Sequence, residues 1–221
     1  MHTEEIGYHW LDSYKAIVLM ADQPQSFYEN LYDCKLALAL YVVEGGVLSA
    51  VVYRGWIGYT VTQQFLPGDV ILNFEYCNDV DFDSTHFIIS NPDRTVSLDG
   101  PGGYNTIIDN INYASSFYFT NLPDSLTHTV RSIAKDAHGH DVFVEYSYGD
   151  GKVVAVGIPI QWFYRYKLGL GGTGCQLPWD GANNLKLLYN ELLYQSGLIS
   201  IKDRLMSAYN QLQLTVQDNR P

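Results

Sequence analysis

The chain has 221 residues, 47% of them hydrophobic and 17% charged, and a formal net charge of -11. A length of this order buries a core of ordinary density as one large domain, and the acidic balance excludes the Lys/Arg stripe by which proteins release counterions from nucleic acid. No run of about eighteen apolar residues exists to span a bilayer, and the N-terminal stretch lacks the basic and apolar regions of a signal peptide. The chain therefore reads as soluble. A domain excised from a secreted or cell-surface protein would read the same way, and the compartment stays open.

Residues 1–13 form a lead-in whose Tyr8, Trp10 and Leu11 can dock on the domain. Tyr14 to Met20 (YKAIVLM) is a nearly continuous apolar run, the pattern of a strand buried on both faces. A polar break with Pro24 follows, and Gln25 or Ser26 opens a helix expected over Phe27 to Val43, with Leu31, Cys34, Leu38 and Tyr41 or Val42 on one stripe. Glu44-Gly45-Gly46 stops that helix, and Val47 to Tyr53 is the next buried strand. A strand, helix, strand unit of this kind makes its two strands parallel.

Val70 to Phe74 is a further short strand, and the stretch from Asn78 to Arg94 reads as irregular. Ser116 to Thr120 is an aromatic strand, Arg131 to Ala137 a strand edge, and Asp141 to Tyr148 a half-exposed strand. Gly149-Asp150-Gly151 makes a hairpin turn into Lys152 to Ile160, the most apolar strand of the region and the expected centre of the sheet. Beyond a glycine loop at Gly169 to Pro178, Asn183 to Gln195 and Ile201 to Val216 show helical periodicity.

Several residue groups invite a chemical reading. Cys34, Cys77 and Cys175 are too widely spaced for a zinc ribbon or a redox pair, and Cys34 on the apolar stripe reads as a small buried hydrophobe. Asp79, Asp81 and Asp83 alternate like the start of a calcium loop, but Ser84 stands where the turn glycine belongs and Ser90 where the last acid belongs, which argues against calcium. His138, His140 and Asp141 sit at an expected hairpin tip, so a solvated turn is preferred to a metal site. Gly169 to Gly174 has the glycine content of a phosphate cradle without its Lys-Ser/Thr ending. No metal and no cofactor is expected from these patterns.

The order of DQPQSFYENL, YVVEGG, HFIISNPD, EYSYGDGKVVAVGIP and NNLKLLYNELL resembles the class I glutamine-amidotransferase-like superfamily, its divergent, non-catalytic members most of all, over roughly residues 14 to 198. The resemblance implies an α/β fold: a flavodoxin-like open, mostly parallel sheet with helices on both faces and an antiparallel hairpin near the C-terminal part. It implies one domain over 1–198, with 199–221 an amphipathic helix that docks on it or on a partner. The family's nucleophile elbow falls on Arg54-Gly55-Trp56-Ile57-Gly58, which puts Trp56 where the cysteine belongs, and Ile158 and Ile160 stand in place of the histidine and glutamate. With the nucleophile, base and orienter replaced, the family's acyl-transfer chemistry is not expected.

Ligands of open α/β sheets bind outside the strand carboxyl ends. The residues to inspect there are Asp22, Gln23, Arg54, Trp56, Glu75, Asp79, Gln161, Trp162 and Tyr164, with Asn78 and Arg165 beside them. Aromatic platforms mixed with amides and carboxylates suit a carbohydrate or another polar small ligand. Two readings follow. One is a non-catalytic interaction or assembly module with a protein partner or neighbouring domain; the other is a hydrolase-type enzyme that uses Glu75, Asp79 or Asp22. An exposed apolar patch favours the first, and a perturbed carboxylate in a shared cleft the second.

Overall fold

The computed structural model describes residues 11, 13–21, 23–52, 64–90, 115–123 and 129–158. Within them the chain is a mixed α/β structure with two sheets. Six strands form the larger sheet in the order β1 (Ala16–Leu19), β2 (Val47–Val51), β8 (Gly151–Val156), β7 (Asp141–Tyr148), β6 (Val130–Asp136) and β4 (Val80–Phe82). A second, two-stranded sheet pairs β3 (Ile71–Cys77) with β5 (Ser115–Thr120). The β1–β2 and β2–β8 pairs are parallel, and the β8–β7, β7–β6 and β6–β4 pairs are antiparallel. The antiparallel part thus extends past the expected hairpin to β6 and β4.

The helix between β1 and β2 forms as two segments, α1 (Gln25–Asp33) and α2 (Lys35–Val43), which meet at Cys34. The backbone bonds Cys34 N–H to Asn30 O and Leu38 N–H to Cys34 O carry the helical ladder across the junction. The break is therefore a local loosening and leaves the direction of the stripe intact. Leu31, Leu38, Tyr41 and Val42 are buried as their spacing requires, whereas Cys34 is only half-buried, a correction to its expected place in the core. The helical stripe packs on Leu48, Ala50 and Val52 of β2 and its extension, Val153 and Ala155 of β8, and Val144 and Tyr146 of β7. Successive side chains of a strand alternate between faces, so these residues define one face of the sheet.

The centre of the sheet lies where the apolar composition puts it. Val153 to Val156 of β8 are fully buried between β2 and β7. Gly151 is required at its start, because a Cβ there would overlap the carbonyl oxygens of Val42 and Gly46. The same turn closes the helix end, since Asp150 N–H donates to Val43 O at 2.9 Å and Lys152 N–H to Gly46 O at 3.2 Å. The Val43 carbonyl, in the last turn of the helix, would otherwise lack an intrahelical partner.

Three further expectations change. β1 is not buried on both faces: it pairs only with β2 among the described residues, and Val18 and Met20 alternate outward. β6 is not an edge, because β4 covers it, and β7, expected to be half-exposed, has four buried residues, four intermediate ones and no exposed one. The stretch from Asn78 to Arg94, expected to be irregular, contains β4 and a single helical turn, α3 (Phe87–Ser90), whose Ile88 and Ile89 are buried. In each case long-range pairing set the outcome, which local pattern does not encode. No helix among the described residues is long and apolar enough to cross a membrane.

Candidate functional site

The directions of the strands place the carboxyl ends of β1, β2, β8 and β6 along one margin of the sheet, together with the start of β4. Of the residues singled out from the sequence for that margin, Gln23, Glu75 and Asp79 lie among the described residues; Asp22, Arg54, Trp56, Gln161, Trp162 and Tyr164 lie outside them. Gln23 follows β1, and its side-chain amide donates to Ala21 O at 3.3 Å, a local turn contact. Asp79 precedes β4, at the opposite end of the strand order. Five strand spacings of about 4.8 Å put roughly 24 Å between them, so the described strand ends do not converge on one pocket.

Chemistry concentrates instead at the carboxyl end of β6. The turn from β6 to β7 is built by Asp136, whose side chain is 1% exposed. Its Oδ1 accepts the backbone N–H groups of His138 and His140, each at 2.9 Å, and its own N–H donates to His140 O at 3.0 Å. Gly139 completes the loop at φ +82, a conformation that suits glycine. The turn delivers His138 and His140, two residues apart, to the same side. Across from them β3 presents Glu75 and Cys77, also two residues apart and less exposed than the alternate residues Phe74 and Tyr76.

The resulting contacts are specific. His138 Nδ1 stands 3.6 Å from Glu75 Oε1, and His140 Nδ1 stands 3.7 Å from Glu75 Oε2. His140 Nδ1 is also 3.2 Å from Asp136 Oδ2. The His140 ring stacks on Tyr118 of β5, with centroids 4.1 Å apart and planes 15° from parallel. One ligand atom each from Glu75, His138 and His140 lies within 4.8 Å of the others, and the same holds for Cys77, Asp136 and His138. The neighbouring acid Asp141 is not part of this set, because Lys135 Nζ pairs with it at 2.7 Å. The expected solvated turn is accurate for the exposed His138, but it missed the strand that faces it. The readable signal was a pair of alternations, Glu-x-Cys at 75–77 and Asp-x-His-x-His at 136–140.

The other sequence candidates resolve differently. Asp81 lies on β4, and Asp83 Oδ1 accepts hydrogen bonds from the Thr85 backbone (2.8 Å) and hydroxyl (2.7 Å) while Oδ2 pairs with Arg131 at 3.0 Å. A strand and a capped turn take the place of the considered calcium loop. Partial burial pushes the Asp83 carboxyl up, and the Thr85 and Arg131 hydrogen bonds outweigh it, holding its pKa at about 2. That shift belongs to an exposed ion pair and does not mark a cleft. Ile158, which occupies the place of the amidotransferase histidine in the resemblance, is fully buried beyond β8. Ile160, the elbow at 54–58, Cys175, the Gly169–Gly174 loop and both C-terminal helices lie outside the described residues.

A second histidine and carboxylate pair sits apart from this edge. His86 is fully buried, its Nδ1 accepts the Ile88 backbone N–H at 3.2 Å, and its Nε2 lies 3.3 Å from Glu145 Oε1. Lys152 Nζ approaches the other Glu145 oxygen at 3.2 Å.

No family model matches the chain, and no curated protein matches it. Among solved structures, the chain is similar to a cytoplasmic protein from Salmonella typhimurium over 85% of its own length and 74% of that chain, at 13% identity and a TM-score of 0.45. A cytoplasmic protein from Salmonella typhimurium LT2 matches over 68% of this chain and 63% of that one, at 15% identity and a TM-score of 0.37.

Proposed function

We propose that this chain is a non-catalytic, glutamine-amidotransferase-like domain of flavodoxin-like build that acts as an interaction or assembly module. The observation that carries this reading is an apolar stripe on the outer side of α1 and α2. Tyr32, Leu36, Leu40 and Val43 recur at steps of four, four and three residues, and Leu36 is 69% exposed. These spacings put the four on one side of the helical pair, opposite the stripe that packs on the sheet. A surface helix ordinarily carries charge there. Lys35 Nζ, 4.7 Å from the Tyr32 ring, is the one cation seen against the stripe among the described residues. Contiguous exposed apolar surface of this kind marks a contact with another protein or domain.

The double substitution Leu36→Glu/Leu40→Glu tests the reading. On a surface kept for a partner it changes thermal stability by no more than about 0.5 kcal/mol, and a sedimentation concentration series is expected to show association of the unmodified chain that the double variant lacks. A loss above about 2 kcal/mol, the cost of disrupting buried leucines, would show that the chain's own segments cover the stripe, and the interaction reading would fail.

A carbohydrate or other polar ligand fits the carboxyl-end margin best beside Tyr118 and His140, where stacked rings adjoin the Glu75 carboxylate. The hydrolase reading draws on the same edge, since Glu75 faces two histidines that could orient it. Turnover of an activated ester or glycoside that disappears in Glu75→Gln would favour the enzyme over the module.

A further inference from the structure

We propose that Glu75, His138 and His140 form a binding site for one divalent first-row transition ion of the zinc class. Three features of the geometry support it. First, the two histidine-to-glutamate separations, 3.6 and 3.7 Å, are too long for hydrogen bonds. They are close to the edge of a tetrahedron whose metal bonds are about 2.0–2.1 Å, which measures roughly 3.4 Å. Each separation runs to a different Glu75 oxygen, and one ligand atom from each of the three residues lies within 4.8 Å of the others, so a small adjustment of side chains brings the set around one ion.

Second, the ligands are positioned before any ion arrives. Asp136 holds the turn through two backbone hydrogen bonds and keeps its other oxygen 3.2 Å from His140 Nδ1. Tyr118 fixes the plane of the same ring by stacking. Asp136 and Glu75 face the same His140 nitrogen, so an ion bound through Nδ1 takes the place of the Asp136 contact while the backbone bonds to Oδ1 keep the turn in shape. Third, the donor chemistry selects the ion. Two imidazoles and one carboxylate suit zinc and its first-row neighbours, whereas calcium and magnesium prefer oxygen alone. A three-residue protein set leaves a fourth position for water or a ligand.

Cys77 is the competing donor. Its sulfur, Asp136 and His138 form a second triplet that shares one histidine with the first. Both triplets cannot use His138 for the same ion in the same way, so the ligand set is itself testable. This inference stands on the β6–β7 turn and does not depend on the apolar stripe of α1 and α2.

The experiment titrates tag-free protein with Zn2+ by calorimetry and repeats the loading with Co2+ for its absorption spectrum. The expected result is one ion per chain, a rise in melting temperature on loading, and a visible cobalt band without a thiolate charge-transfer band. Affinity falls at least about tenfold in Glu75→Gln and in the double variant His138→Gln/His140→Gln, while Cys77→Ser binds like the unmodified chain. Circular dichroism of the double variant, with a cooperative melt in the absence of metal, separates lost binding from lost folding. No saturable binding by the unmodified chain, or undiminished binding by that double variant, would overturn the site. A thiolate band that Cys77→Ser removes would overturn the assigned ligand set in favour of the inner triplet.

Discussion

The molecule holds two histidine and carboxylate groups that differ in how deeply the fold buries them. His86 is fully buried, its Nδ1 accepts the Ile88 N–H at 3.2 Å, and its Nε2 faces Glu145 Oε1 at 3.3 Å. Nδ1 is hydrogen-bonded, Nε2 lies within ion-pair distance of Glu145 without a hydrogen bond, and Lys152 approaches the other carboxylate oxygen at 3.2 Å. His138 and His140 stand at a turn open to solvent, with Glu75 beyond hydrogen-bond distance of both and Asp136 Oδ2 at 3.2 Å from His140 Nδ1. The difference teaches that histidine identity and acid proximity say little by themselves. What separates the two groups is burial: His86 is closed off from solvent, and the turn leaves His138 and His140 open to it.

The largest expected effect tests the structural side of that contrast. His86→Ala removes the acceptor of a buried N–H and leaves Glu145 facing an empty site beside the sheet. Breaking a buried pair by deleting one partner costs about 3 kcal/mol, read as a lower urea midpoint with an unchanged slope. A loss below about 1 kcal/mol would mean that His86 is no more embedded than the exposed histidines, and the distinction between the two groups would collapse.

Next in size is Asp136→Ala, which divides the turn from the ligands it carries. Oδ1 serves two backbone N–H groups from a nearly buried carboxylate, so its removal orphans both and costs about 2 kcal/mol. Asp136→Asn keeps an acceptor oxygen in place and loses less. Amide hydrogen exchange at His138 and His140 reads the same event directly: fast exchange at both in the alanine variant, with the rest of β6 and β7 protected. Uniform loss of protection across the sheet would show instead that Asp136 supports the core and is not specific to the turn.

The parts of this molecule that were legible in the sequence are those set by local pattern. The strand, helix, strand unit from Ala16 to Val51 follows from an apolar run, a three-and-four spacing and a Gly45-Gly46 stop, each a short-range property. The hairpin at Gly149 to Gly151 was legible for the same reason, since its glycines serve a turn that no other residue fits against the helix end. The position of β1 at the margin, the cover of β4 on β6 and the pairing of β3 with β5 were not, because strand order is decided by contacts far apart in the chain. The candidate site fails to show for that reason as well. Glu75 and His138 belong to segments separated by the whole of β4, α3, β5 and β6, and only the placement of β3 beside the end of β6 brings them together. Glu75 was selected by the strand-end rule. Its partners were read as a solvated turn because a hairpin tip gives no sign of what lies across from it.

The smallest effect sharpens the contrast from its exposed limit. Asp83 and Arg131 form an ion pair at 3.0 Å with both side chains substantially exposed, at 32% and 44%. The Asp83 carboxyl titrates at about 2 in the folded chain against an ordinary value of 3.8. A depressed folded pKa means that the stabilisation is complete above the unfolded value and is lost as pH falls through the folded one. The window is therefore from about pH 4 down to about pH 2. Solvent screening limits the contribution of so exposed a pair to less than about 1 kcal/mol. Comparing Asp83→Asn with the unmodified chain by thermal melts should show a small deficit near neutral pH that closes across that window. A deficit that persists undiminished at the acid end would assign the effect to the Thr85 hydrogen bonds, which an amide cannot reproduce equally, and would remove charge from the explanation. The exposed pair would then resemble His86, held by bonding geometry, and not by the electrostatics that its distance to Arg131 suggests.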